Sequence, residues 1–261
     1  MILLDTETGD PDDIMVIAYL ADKGLSAITM NPGTDEQVGL VKAVLKELGL
    51  NIPVGGRDPK LPPKTKNCVS DFYSKIYDYE PAKPDALNSE IITEYLAKGA
   101  VPFTCGLPKN FDGVKMKEWW AQGGFAGDSV MGSHPILPKF KGHESVTSFN
   151  FTDRKLIERC IENSEKRHFI SKNICHGAIF DKTKTAKNPV IKRIMDIYLQ
   201  RHDGKAFHDL LAAWAMMNPD SVDWEEVGIY YEQGKVGSEI KKGTNTFISV
   251  NYDKDKFWDS I

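Results

Sequence analysis

No run of about 18 apolar residues occurs in this chain, so no stretch is long enough to cross a bilayer as a helix. Positive charge is not in excess either: 33 lysines and arginines stand against 37 aspartates and glutamates, for a formal net charge of -4. The lysines are interleaved with acids and form no stripe, so the footprint that binds a phosphate backbone is missing and nucleic acid is not an expected partner. The cysteines, Cys68, Cys105, Cys160 and Cys175, form no CxxC pair, which argues against a zinc ribbon and suits buried, reduced thiols. The histidines show neither HxH nor HExxH spacing, so zinc lacks a ligand pattern. GxGxxG after the first strand and GxxxxGK[ST] are both absent, which removes a dinucleotide fingerprint and a Walker phosphate cradle. The amino terminus carries neither the basic region nor the long apolar stretch of a signal peptide, and a cytoplasmic location is expected.

What is present is ordinary globular composition, with 41% hydrophobic and 27% charged residues in 261 positions, and the expectation is a single domain over residues 1–261. Strand and helix signals alternate. A short apolar run at the start is followed by a helix on which Ile14, Ile17, Ala18 and Leu20 share a face. A second strand over 26–30 enters the turn Asn31-Pro32-Gly33, and Val38, Val41, Leu45 and Leu48 then repeat at helical spacing over 35–48. Further helices are expected at 89–98, 153–163, 188–200 and 207–217, with strands at 100–104, 119–122 and 168–171. Two last strands, 227–232 and 246–251, should pair at the margin of the sheet. A loop rich in Pro and Lys is expected over 57–66, a lid or loosely helical flap over 67–85, and a functional or specificity loop over 127–143. The alternation predicts an α/β fold with a mainly parallel open sheet flanked by helices.

Chemistry concentrates behind the first strand, where Asp5, Glu7, Asp10, Asp12 and Asp13 fall within nine residues. In an open α/β sheet, ligands bind beyond the carboxyl ends of the strands, and this turn stands there. Crowded carboxylates repel one another unless a cation offsets them, and all-oxygen ligands suit a hard ion such as Ca²⁺ or Mg²⁺. The plainer reading is a solvated acidic turn with a helix cap at Asp10 or Asp12, although a cap needs only one acid. Farther on, His208 precedes Asp209 at a helix start, as a donor to a departing group or as a histidine held by a neighbour. Trp214 and Met217 read as core, while Tyr73, Tyr77 and Tyr198 are candidates for contact with a heterocycle.

The first segment resembles the amino-terminal signature of the inosine/uridine-preferring nucleoside N-ribohydrolases, a strand followed by a DxDxGxDD turn. Here it reads Asp5, Glu7, Gly9, Asp12 and Asp13, with one additional residue after Gly9. Further resemblances follow in family order: Ala27-Ile28-Thr29 before Asn31-Pro32-Gly33, and Ile52-Pro53-Val54 with Gly55-Gly56. The family's TGxLTN appears as Thr104-Cys105-Gly106-Leu107 with Asn110 displaced by one position, its MGG as Gln122-Gly123-Gly124, its EFN as Ser148-Phe149-Asn150, and its HD pair as His208-Asp209.

The resemblance implies hydrolysis of an N-glycosidic bond, with base and ribose released from a small nucleoside or related ribosyl compound. It implies Ca²⁺ held by Glu7 in place of Asp, Asp13, the backbone carbonyl of Thr104, and Asp209, with Asp12 and Asn150 on the ribose hydroxyls. Glu7 is the implied general base and Asp10 the competing candidate, because an extra methylene moves the carboxylate and errors near 1 Å are costly. His208 would serve the leaving base. Ser148 stands where the family has a sugar-holding glutamate, with Glu144 or Asp128 as replacements, and Asn31 is a further substrate-side candidate. Similar enzymes are often dimers or tetramers, so a homo-oligomer is one expectation. Two alternatives stay open: a nucleoside or ADP-ribose binding module without turnover, and a metal-dependent phosphoester hydrolase, which lacks an obvious Lys/Arg clamp.

Overall fold

The computed structural model describes residues 1–58, 60 and 68–261, and the loop expected over 57–66 falls mostly outside them. Strand β1 (Ile2–Thr6) is buried along its whole length, as a strand covered on both faces must be. Its side chains alternate between two hydrophobic cores, Leu3 in one, Ile2 and Leu4 in the other. Helix α1 (Pro11–Leu20) starts almost at once behind it. Pro11 fits the first turn, where a backbone donor is not needed. Asp10 accepts from the Asp12 amide at 2.9 Å and Asp13 accepts from the Asp10 amide at 2.9 Å, which satisfies two donors that the helix leaves open. All of α1 is buried.

Strand β2 (Leu25–Met30) runs parallel to β1, and helix α2 (Asp35–Glu47) follows behind the Thr34 cap. Two-residue strands β3 (Gly55–Gly56) and β4 (Ala86–Leu87) pair beside them. Helix α3 (Asn88–Ala97) then leads into β5 (Val101–Thr104), which pairs with β1 on the side away from β2. The direction of strand addition reverses between β1 and β5. That reversal is the topological switch point at which open sheets leave a crevice.

The chain continues through β6 (Met116–Gln122), α4 (Asp128–Met131), β7 (Ser145–Val146), α5 (Arg154–Glu162), β8 (Ser164–Ile170) and the one-turn helix α6 (Lys172–Cys175). Strand β9 (Ile179–Asp181), α7 (Pro189–Tyr198) and β10 (Gly204–Ala206) form an excursion whose two strands pair with each other. Helix α8 (Asp209–Met217) packs against α1. Strands β11 (Val222–Glu232), β12 (Lys235–Ile240) and β13 (Thr246–Tyr252) precede the last helix, α9 (Lys254–Ser260). Among the described residues the main sheet has the order β2-β1-β5-β6-β8-β13-β11-β12-β7. It is parallel as far as β13 and antiparallel beyond. The molecule therefore has the expected α/β architecture, with a mostly parallel sheet flanked by helices. Among the described residues no helix is long and apolar enough to cross a membrane.

Three expectations need correction. The last two strands do pair, but β13 lies inside the sheet against β8, and the margin is made by β12 and β7. The turn into β12 places both Gln233 and Gly234 at positive φ, 48° and 76°, the backbone of a tight hairpin, although the residues are not the favoured Asn-Gly. The segment over 67–85 is not simply a lid: Tyr73 is fully buried and Tyr77 is 7% exposed, both packed in the core with α1. The Tyr73 hydroxyl donates to the Asp10 carbonyl, so this tyrosine supports the acidic turn from behind and is not free to meet a heterocycle.

Candidate active site

At the carboxyl end of β1 and β5 lies a pocket of about 330 Å³. The turn after β1 lines it with Glu7, Gly9, Asp10, Asp12 and Asp13. Cys105 follows β5, and Gln122, Phe149, Asn150, His208 and Asp209 close the other side. A larger cavity of about 710 Å³ opens between the amino ends of β5, β6 and β8, lined partly by Lys115, Lys117, Glu118, Glu162 and Glu165. It lies at the edge of the sheet away from the switch point, so size does not identify the site here.

Each wall has a local cause. Asp12 sits in the first turn of α1, yet its carboxylate caps α8: Oδ2 accepts from the His208 and Asp209 amides at 2.5 and 2.8 Å, and Oδ1 from Leu210 at 3.4 Å. No side chain of α8's own flank performs that cap. The start of α8, with its exposed donors and partial positive charge, is thereby tied to the acidic turn. Asn150 stands in a short 3-10 turn, where its amide nitrogen donates to the Gln122 side chain at 2.7 Å and to the carbonyls of Gln122 and Cys105 at 3.1 and 3.3 Å. With the nitrogen so engaged, its oxygen is the group available to a ligand. Glu7 receives an amide hydrogen bond from Asn31 at 3.3 Å, and Asn31 also donates to the Leu107 carbonyl at 2.9 Å. Gly106 leaves room for it, since a Cβ there would meet Glu7 Oε1 at 2.7 Å and displace the Glu7 side chain.

The electrostatics are those of acids short of positive charge. Asp12, Asp13 and Asp209 are 1%, 3% and 7% exposed. Burial pushes Asp12 up to about 6, against Lys205, which favours its ionised form. Burial first, then the neighbouring carboxylates, holds Asp13 and Asp209 well above the usual range. Burial also raises Glu7, with the hydrogen bonds and Lys109 opposing it. Lys205 on β10, only 8% exposed, reaches Asp10 Oδ1 at 2.9 Å. Burial works against its charge, but Asp12, Asp10 and Asp209 outweigh that cost and keep it protonated. His208 is pushed down to about 4, chiefly by burial and then by Lys205, so its ring is neutral near pH 7. Among the described residues its buried Nε2 has no partner.

Not every candidate reaches this pocket. Asn31 stands behind Glu7 and positions it, and Thr104 is buried at the end of β5, its hydroxyl accepting from Trp119 at 3.1 Å. Ser148 is buried at 6% exposure and does not line the cavity. Glu144 accepts from the Ser129 hydroxyl at 2.7 Å and Asp128 from the Gly142 amide at 2.6 Å, and neither lines the cavity. Sequence reasoning missed Lys205 and Phe149. The former sits in a short strand with no motif around it, and the latter, 71% exposed, belongs to a matched motif but betrayed its place only through exposure at the pocket wall.

A hard cation fits this donor chemistry in kind: oxygen ligands, deep burial, and anionic charge that Lys205 alone does not balance. Among the described residues, however, no three His, Cys, Asp or Glu side chains form a group that could hold a metal by themselves. Backbone or ligand oxygens would have to complete any such set.

No family model matches the chain. It is 26% identical to an uncharacterized protein of Aquifex aeolicus, over 99% of this chain and 97% of that one. Its fold is similar to that of a plant nucleoside hydrolase, with a TM-score of 0.74, 14% identity, and coverage of 99% and 96% of the two chains. A purine-preferring ribonucleoside hydrolase from Gardnerella vaginalis gives a TM-score of 0.66 at 14% identity and the same coverage. At such identities the likeness establishes the fold: the architecture is nucleoside hydrolase-like.

Proposed function

We propose that the protein hydrolyses the N-glycosidic bond of a small ribosyl compound, releasing the base and the free sugar. The observation that carries this reading is the convergence of Glu7, Asp10, Asp12, Asp13, Asn150, His208 and Asp209 on one pocket at the switch point. The likeness to solved nucleoside hydrolases supports it. Ribosyl cleavage builds positive charge at C1′ as water adds, so fixed carboxylates beside that carbon favour the transition state over the ground state. Glu7 is the general base: its raised pKa brings proton affinity toward neutrality, which suits a group that must take a proton from water. Asp10 is committed to the Asp12 amide and to Lys205, and serves the helix and the charge balance instead.

Asp12 spends three contacts on α8, which leaves about one of its roughly four acceptor positions for a sugar hydroxyl. Asn150 offers its oxygen to the same diol. His208, neutral and with an unpartnered Nε2, faces the departing base as a hydrogen-bonding group. Phe149 presents an exposed aromatic face at the same wall, suited to stacking on a heterocycle. Calcium would draw on Glu7, Asp13 and Asp209 only if these side chains moved closer together than they lie here, with the Thr104 carbonyl and ligand oxygens completing the set, and it would supply Lewis acidity toward water.

The decisive experiment is a purine and pyrimidine nucleoside panel with Ca²⁺, scored for free sugar, run on the wild type, Glu7→Gln and Asp10→Asn. Glu7→Gln should lose at least about 100-fold in kcat, the usual scale of general-base removal, and Asp10→Asn about tenfold or less. No sugar release across the panel, together with unchanged Ca²⁺ binding in Asp13→Ala, would remove this reading. The commitment of Asp10 to Lys205 favours one second reading, a ribosyl-binding protein without turnover. Calorimetry showing tight binding and no product would select it.

A further inference from the structure

Resting on the reading above, we infer that the preferred substrate carries an anionic group at its 5′ end, as in a nucleoside 5′-monophosphate, and that Lys172 and Lys139 receive that group at the rim of the pocket. Lys172 opens α6 just beyond the carboxyl end of β8, and its Nζ donates to the Thr147 carbonyl at 2.8 Å. Thr147 is three residues before Asn150, the residue assigned to the sugar. Lys139 arrives from a different loop, with Nζ 2.6 Å from His176 Nδ1. An ammonium can only donate, so His176 must accept there with a neutral ring. The His176 ring in turn lies 4.8 Å from that of His208, a wall of the pocket.

These two ammonium groups have no acid to answer them. Among the described residues neither forms an ion pair with a carboxylate. Ser148, beside Thr147, is neutral. Burial lowers the pKa of both lysines, and the like charge of Lys139 lowers Lys172 further. The acids line the pocket, whereas Lys172 and Lys139 stand outside its lining and adjoin it through Thr147 and through His176, the neighbour of His208. In a β-ribonucleoside the base and C5′ project from one face of the sugar and the diol from the other. With the diol on Asp12 and Asn150, a 5′ substituent points out of the floor toward the rim. Lys172 adjoins the segment that carries Asn150, which places the anion on the sugar rather than on the base.

The reaction would still be simple hydrolysis. Water adds to C1′, the C1′–N bond breaks with its electron pair leaving on the base, the base regains a proton, and the phosphate ester is untouched. The products are free base and ribose 5-phosphate. Inosine and uridine are compared with their 5′-monophosphates for kcat/KM, and ribose with ribose 5-phosphate by calorimetry, in wild type, Lys172→Met, Lys139→Met and Lys172→Arg. The 5′-monophosphates should be preferred by at least about tenfold, the methionine variants should lose that preference while keeping nucleoside turnover, and Lys172→Arg should restore much of it. Equal or better turnover of the plain nucleosides, or release of inorganic phosphate, would overturn the inference. If nothing is cleaved but ribose 5-phosphate binds more tightly than ribose, the anion subsite stands and the glycosidase reading falls. If nucleosides are cleaved and the phosphates are not, the reverse holds.

Discussion

Two histidines show how position decides what a side chain can do. His176 is pushed down to about 3, by burial first and then by His208, Lys139 and Lys172, and its neutral ring is the acceptor that Lys139 needs. A histidine whose folded pKa lies below its unfolded value contributes stability above the unfolded pKa, near 6.5, and loses it as pH falls toward the folded value. The unfolded chain takes up the proton and the folded one refuses it. His176→Gln keeps an acceptor for Lys139 and removes the titration, so its melting temperature should gain on the wild type as pH drops from about 7 to 4. Carboxylates with raised pKa values, such as Asp5 at about 7, act in the opposite sense, which is why the comparison must be made between variant and wild type. A difference in melting temperature that does not change with pH would show that His176 takes up its proton in the fold as readily as in the unfolded chain.

At the scale of elements, the join between α1 and α8 matters most. Asp12 reaches across from α1 to supply the cap that α8 lacks, so one carboxylate both fastens two helices and faces the pocket. Asp12→Ala should cost about 1–2 kcal/mol of stability as a lost helix cap and remove turnover as well. Asp12→Asn keeps one carbonyl acceptor and should recover most of the stability in urea unfolding without recovering activity; recovery of both would mean the residue is only a cap. The β1–α1 unit was legible because an apolar run, a proline and a capping pair all agree locally. The floor of the site was legible too, since Glu7, Asp12, Asp13, Asn150 and Asp209 fall in ordered motifs. The rest depended on long-range placement. Nothing near Lys205 reveals that β10 brings it to Asp10, and the polar surroundings of Tyr73 hide that it is core. Strand β12 escaped because its glycine and charged residues carry a weak strand signal and only its pairing with β11 and β7 creates it.

For the molecule as a whole, the reversal of strand order between β1 and β5 gathers buried acids from opposite ends of the chain into one place. Folding therefore concentrates negative charge that the unfolded chain keeps apart, and Lys205 offsets only part of it. A cation that binds this arrangement and not the open chain must stabilise the fold by mass action, about 2.7 kcal/mol at a hundredfold excess over Kd. Calcium is the expected ion, because oxygen donors of uneven reach suit its variable coordination better than the strict octahedron of Mg²⁺. Chelator-treated protein should accordingly melt at lower temperature, recover with Ca²⁺, and recover less with equal Mg²⁺. Asp209→Asn should lose the Ca²⁺ response, because it removes a carboxylate supplied from the far end of the chain while leaving the amide cap from Asp12 in place. If thermal unfolding followed by circular dichroism shows the same midpoint with chelator and with millimolar Ca²⁺, the charge gathered at the switch point is balanced by Lys205 and protonation alone, and calcium has no part in it.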